Sequence, residues 1–295
     1  MYNFLFLNSE NIWKKICKIL LPLASGCVIT LFELGHLGRG SNAPIYTLLE
    51  KRKINQSSIF LAIAISTKFF PIILLVPILI YLYRSKEKAM SIRYLVVTAC
   101  TWTSINIPFI LANFQGWFYF YKFSYQRNIG EGSIFTILDK FGIEFNNKNL
   151  WYYVLNISLY VGFICFLIFR KNIVPVSLGS FLAIFVFTIF GKQYSMQYVL
   201  WLTPVALYAI SRMSKLNQRI MLKLYVIWQV SELLFNTAYF NNFWWSLSNQ
   251  QTGISNQEYA IFASIRYITF LFFVMFLILK FNKESVKEDD QRVKR

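Results

Sequence analysis

Phe190-Gly191-Lys192-Gln193-Tyr194-Ser195-Met196-Gln197-Tyr198-Val199-Leu200-Trp201-Leu202-Thr203-Pro204 sets a cation, amides and phenols between two apolar runs, at about 173–190 and 197–211. Polar groups placed between hydrocarbon-facing segments must recover their lost hydration by binding something. Working outward, further apolar runs occupy about 16–34, 94–112, 151–169, 220–240 and 259–280. None alternates with a period of two, so they read as helices and not as barrel strands. With 56% hydrophobic, 19% aromatic and 15% charged residues, a chain of 295 residues is too apolar for a water-soluble domain and too long for a single anchor. The expected fold class is all-α, a polytopic transmembrane helical bundle.

The run 57–83 differs from the others because Lys68-Phe69-Phe70-Pro71 interrupts it. Proline removes a backbone donor and clashes one turn back, so two half-helices are expected there. Lys51-Arg52-Lys53 precedes the run, and Arg84, Lys86, Lys88 and Arg93 follow it. A single crossing would put one cluster on the wrong side, whereas a re-entrant hairpin over 57–83 keeps both cytoplasmic. From there the runs alternate, with Arg170-Lys171, then Arg212, Lys215, Arg219 and Lys223, then the tail 281–295 on the cytoplasmic side. The opposite side receives the outer loop 113–150 and the connections 191–196 and 241–258. Trp117, Trp151, Trp244 and Trp245 mark those outer borders. The domain reading is one transmembrane domain over 1–280, followed by a polar, solvated cytoplasmic tail over 281–295.

A net charge of +17 comes from lysines and arginines in these short connections, which argues for membrane topology and against nucleic-acid binding. Cys17, Cys27, Cys100 and Cys165 all sit in apolar stretches without metal-ligand spacing. They read as core residues, neither disulfides nor zinc ligands.

Three segments carry groups suited to an anionic lipid. Ala62-Ile63-Ala64-Ile65-Ser66-Thr67-Lys68-Phe69-Phe70-Pro71-Ile72-Ile73-Leu74-Leu75 puts Lys68 at the tip of the expected hairpin, facing either an anion or the carbonyls of a helix end. In Phe123-Ser124-Tyr125-Gln126-Arg127-Asn128-Ile129-Gly130-Glu131-Gly132-Ser133-Ile134-Phe135, Arg127 offers a planar fork to a phosphate. Glu131 would hold that fork or a sugar hydroxyl; the alternative is a loop salt bridge. In the opening segment, Lys192 suits an anion while Gln193, Gln197 and Tyr198 offer directional hydrogen bonds, or Lys192 and Tyr198 would serve as interfacial belt residues.

These three segments together resemble C-type (GT-C) integral-membrane glycosyltransferases that use polyprenyl-phosphate sugars. The similarity is to the bacterial polyprenyl-phosphate-mannose-dependent family and to the first mannosyltransferase of GPI-anchor synthesis, over roughly residues 20–280. The resemblance implies a GT-C-type bundle that moves a sugar, plausibly mannose, from polyprenyl phosphate to a lipid-linked or glycolipid acceptor on the extracytoplasmic side. It implies a multi-pass protein of the bacterial plasma membrane, with the endoplasmic reticulum as the alternative. No organic cofactor is implied and no metal ligand set is assigned, divalent-cation dependence being left open.

Such transfer needs a carboxylate base, which the family carries in its first extracytoplasmic loop. This chain has no acidic residue in a matching place, its first aspartate being Asp139. Glu33 and His36, three residues apart in Leu31-Phe32-Glu33-Leu34-Gly35-His36, form the substitute catalytic pair, the alternative being a histidine that caps a helix. A truncated or non-catalytic remnant and a flippase of lipid-linked sugar are the competing functions. Glu232 and Arg266 lie about equally deep in the last two apolar runs, so an ion pair between them is expected.

Overall fold

The computed structural model of the chain describes residues 45, 48–49, 53–144, 146–194, 197–211, 213–248 and 252–293, apart from the side chains of Gln197 and 282–293. Glu33, His36 and the apolar run at 16–34 lie outside these residues. Ten α-helices and one 3₁₀ turn are delimited, and no strand occurs among the described residues. The chain divides into two compact units, Met1–Trp117 and Phe118–Arg295.

In the first unit, α1 (Ile54–Thr67) stops where Lys68 turns extended, with φ −145° and ψ 127°, its N–H closing onto the Ala64 carbonyl at 3.0 Å. A 3₁₀ turn over Phe70–Leu74 follows, with Pro71 at its start, where a missing N–H costs no bond. It leads into α2 (Leu75–Arg84) and, after a short turn, α3 (Lys88–Ala112). The expected division into two half-helices therefore falls at Lys68–Pro71.

Contacts with α3 show the two legs running oppositely. The Ser57 hydroxyl lies 3.2 Å from the Tyr94 hydroxyl, and Asn106 Nδ2 donates to Ser66 Oγ at 3.3 Å, so α1 is parallel to α3. Ser91 Oγ donates to the Leu79 carbonyl at 3.2 Å from an antiparallel α2. Ser57, Ser58, Thr98 and Asn106 are buried, and their hydrogen bonds form a polar seam between α1 and α3. Small hydroxyl residues let helix backbones approach closely in an apolar medium, which is why they sit at this contact.

The segment expected as an outer loop, 113–150, is largely helical. It contains α4 (Phe114–Gln126) and α5 (Ile134–Lys140). α4 has an aromatic ring at most of its positions and no buried residue.

The second unit continues through α6 (Lys148–Phe169), α7 (Val176–Ile189), α8 (Gln197–Ser211), α9 (Lys215–Leu247) and α10 (Asn256–Val293). α7 is buried on nearly all sides, against α6 and α8, and α9 pairs with α10 along its length. Ring packing knits the core: Trp228 stacks on Phe270 and Phe273 with centroids 4.7 and 5.4 Å apart, while Phe181 and Phe185 meet the same two rings edge-on. Each such pair adds roughly 0.5–1.5 kcal/mol beyond area burial. α10 opens on a capping box, Ser255 Oγ accepting the Glu258 N–H and Glu258 Oε2 accepting the Ser255 N–H. The helix runs on to Val293, so the segment read as a polar tail is helical over most of its length.

Lys88–Ala112, Lys148–Phe169 and Asn256–Phe281 are long and apolar enough to cross a bilayer, and four shorter apolar helices accompany them. Their outward faces expose large apolar side chains such as Ile92, Leu111, Ile157 and Ile268. Such faces suit lipid and are foreign to water, as expected for an all-α membrane protein.

Candidate functional site

In the second unit, the start of α6, the end of α7, the start of α8, the end of α9 and the start of α10 share one end. Asn156 of α6 donates to the Phe190 carbonyl just past α7 at 2.7 Å. Lys140 of α5 donates to Asn242 of α9 and Asn256 of α10, both at 2.9 Å. Two non-helical stretches, 127–133 and 190–194, meet there, and the Gly130 N–H donates to the Lys192 carbonyl at 2.8 Å.

Local sequence shapes the first stretch. Ser133 caps α5 by accepting the Thr136 N–H at 3.1 Å, and Thr136 Oγ1 donates to the Gly130 carbonyl at 2.8 Å. Gly132 has φ +78°, a left-handed conformation that residues with a Cβ adopt at a cost. A Cβ there would also stand 2.7 Å from the Tyr194 carbonyl oxygen.

Lys192 is half-buried. Its ammonium donates to the Tyr125 carbonyl at 2.8 Å and lies 5.4–5.8 Å from the ring centres of Tyr125, Tyr152 and Tyr153. The three rings pack on one another, with Tyr125 to Tyr153 at 6.5 Å and Tyr152 to Tyr153 at 5.0 Å. Arg127 is exposed, and its charge acts on the Tyr198 phenol. Tyr198 in turn packs on Tyr194 and Trp201. The fold thus gathers Arg127, Lys192, Gln193 and Tyr198 around the meeting of the two loops. Gln197 opens α8 nearby in the chain, its side chain lying outside the described set.

Glu131 faces elsewhere. Its carboxylate lies 3.8 Å from the Lys140 ammonium, and its charge acts on the Tyr259 phenol. In this arrangement Glu131 pairs with Lys140 as a loop salt bridge. Lys68 belongs to the first unit, half-buried at the end of α1.

Beneath the loops lies the Glu232–Arg266 pair. Arg266 is fully buried and Glu232 is 3% exposed, with Nη1 and Oε2 3.8 Å apart. The guanidinium is sandwiched between Phe235 and Tyr194, 3.6 and 3.8 Å from their ring centres. Its hydrogen bonds go to the loops, Nη2 to the Gly132 carbonyl at 2.9 Å and Nη1 to the Tyr194 carbonyl at 3.4 Å. Glu232 Oε1 accepts from the Trp228 indole at 2.9 Å and from the Tyr194 hydroxyl at 3.0 Å. Burial, and then the Glu232 carboxylate, raise the Tyr194 phenol well above its ordinary value, so it remains a donor at neutral pH.

No protein family, curated protein or solved structure matches this chain. Chemical meaning therefore comes from the residues themselves. A half-buried ammonium and an exposed guanidinium, fringed by tyrosines at the end of an apolar bundle, suit an anionic headgroup with a hydroxylated ring attached. Among the described residues, no group of three or more His, Cys, Asp or Glu could hold a metal ion. Sequence reasoning missed the tyrosines around Lys192, because they come from two segments separate from its own, and it missed Lys140. The aromatic enrichment of 114–126 and the pair Tyr152-Tyr153 were the only local signals.

Proposed function

We propose that this chain is a multi-pass membrane glycosyltransferase that takes a sugar, plausibly mannose, from polyprenyl phosphate to a lipid-linked or glycan acceptor on the extracytoplasmic face. The observation that carries the reading is the convergence of Lys192 and Arg127 with Tyr198 on one end of the second unit. The GT-C-type resemblance of the three motifs supports it independently. In the reaction, the acceptor hydroxyl oxygen bonds the anomeric carbon while the bond from that carbon to the phosphate oxygen breaks. The phosphate leaves with the electron pair, and Lys192 and Arg127 stabilise its charge. The hydroxyl proton goes to a base, a role proposed for the substitute pair Glu33 and His36, the glutamate tuning the histidine. Lys68, on the hairpin proposed to be re-entrant, is a further anion contact belonging to the first unit.

One observation favours a second reading, a donor-binding subunit without its own base. Glu131, which neighbours Arg127 in the chain, is turned to Lys140 and Tyr259. The test is to reconstitute the full chain in lipid nanodiscs with radiolabelled polyprenyl-phosphate mannose and a mixed lipid-acceptor fraction. Label transfer that Lys192→Ala impairs supports the enzyme, and donor binding without transfer supports the subunit. Absence of saturable donor binding defeats both.

A further inference from the structure

The buried pair between α9 and α10 does more than neutralise two charges. An arginine whose purpose was to satisfy Glu232 would spend its fork on that carboxylate, in the bidentate geometry that carboxylates favour. Arg266 does otherwise: its separation from Glu232 is 3.8 Å, and Glu232 Oε2 and Arg266 Nε have no hydrogen-bond partner. Its two Nη atoms point to the Gly132 and Tyr194 carbonyls, 134 and 72 residues away along the chain. These carbonyls belong to the two non-helical stretches that present Arg127 and Lys192.

Neighbouring side chains complete the clamp. Tyr267 donates a second bond to the Gly132 carbonyl at 3.0 Å, and the Tyr259 hydroxyl accepts the Gly132 N–H at 3.2 Å. Glu232 accepts from the Tyr194 hydroxyl, so it holds the same residue whose carbonyl Arg266 grips. Gly132 is required for the close approach, since a Cβ would stand 3.3 Å from Arg266 Nη2 as well as 2.7 Å from the Tyr194 oxygen. Two loops without regular hydrogen bonding are thereby tied to one rigid, fully buried group.

We propose that Arg266 is a positioning residue, a buried fork that holds loops 130–133 and 192–194 in register so that Arg127 and Lys192 face one anionic headgroup. What is held rests on the polyprenyl-phosphate reading given above; that the loops are held rests on the hydrogen bonds alone. Arg266 touches no headgroup itself. Glu232 keeps the guanidinium in place, and the aromatic sandwich of Phe235 and Tyr194 keeps it from swinging.

The experiment uses the full chain in nanodiscs, with amide hydrogen exchange and binding of a sugar-free polyprenyl phosphate as separate readouts. Arg266→Lys retains the charge and loses the fork, while Gly132→Ala pushes the loops apart and leaves the ion pair intact. Both should speed exchange at the Gly130 amide roughly tenfold or more, the loss of about one net hydrogen bond, with the Trp228 and Phe270 amides still protected. Probe affinity should fall by a similar factor in both, but not in the core control Phe181→Leu. Glu232→Ala/Arg266→Ala removes both charges and should regain folded yield over Arg266→Ala while leaving the loops unprotected and the probe weakly bound.

Loop protection equal to the parent chain in Gly132→Ala and in the double variant overturns the proposal and leaves a structural ion pair. If Arg266→Lys does not fold, Gly132→Ala and the double variant decide the matter. Should the parent chain itself ignore the probe, the headgroup reading fails, and the exchange data still decide whether Arg266 positions the loops.

Discussion

Lys192 and Arg266 are both cations ringed by tyrosines in the same unit, yet their surroundings differ in kind. Lys192 is half-buried, sits loosely 5.4–5.8 Å from three ring centres, and makes one bond to a backbone carbonyl. Arg266 is sealed from solvent, lies within 3.8 Å of two ring centres, and bonds two carbonyls beside a carboxylate. A charge of the first kind can exchange its carbonyl for a ligand at little cost. One of the second kind cannot move without leaving a charge unpaired in an apolar core. A binding group and its foundation can thus be told apart by desolvation and by the number of fixed partners, even where the residue types are alike.

The comparison is broken most directly at the sealed cation. Arg266→Ala strands Glu232 and should cost about 3–5 kcal/mol, read as loss of folded protein on size exclusion in detergent. Adding Glu232→Ala should recover part of that loss, and purely additive damage would mean that the two charges are not coupled. Gly132→Ala comes next, at about 1–3 kcal/mol from the left-handed backbone it strains, measurable as a lower melting temperature. Lys192→Ala should weaken polyprenyl-phosphate binding by about 1–3 kcal/mol while shifting stability by less than about 0.5 kcal/mol. Equal losses of stability at positions 192 and 266 would erase the distinction drawn between them. The smallest effect is expected for Asn106→Leu in the first unit, a neutral buried group bonding Ser66, Trp102 and Trp117. It should cost on the order of 0.6 kcal/mol, the average for interhelical bonds in membranes. A larger loss than at Gly132 would show that polarity alone, without charge, governs these sites.

Much of this architecture is legible in the sequence, for identifiable reasons. Apolar runs locate the helices because hydrocarbon admits few other structures. The break at Lys68 follows from Pro71, and the Glu232–Arg266 pair follows from counting depth along two neighbouring runs. Other features depend on distances that no local pattern encodes. α4 escapes notice because Gln115, Gly116, Lys122, Ser124 and Gln126 interrupt its rings, so it forms no continuous apolar run of the kind that located the other helices. Lys192 was legible as a cation in a polar stretch, but its basket of Tyr125, Tyr152 and Tyr153 comes from α4 and α6. Glu131 was read beside Arg127 because the two are close in sequence, whereas the turn at Gly132 sends its carboxylate to Lys140. Arg266 was assigned one partner of opposite charge, and the carbonyls it actually bonds carry no signature in a sequence at all.

The brevity of α7 has a consequence for the lipid around it. Its 14 residues rise about 21 Å, against about 30 Å of hydrocarbon in an ordinary bilayer and about 50 Å for the 33-residue α9. Because α7 has almost no outward face, acyl chains never sense that deficit, and no local thinning is needed to accommodate it. The shortfall falls inside the protein instead, at the loop after α7, whose Tyr194 carbonyl Arg266 bonds from ten residues into α10.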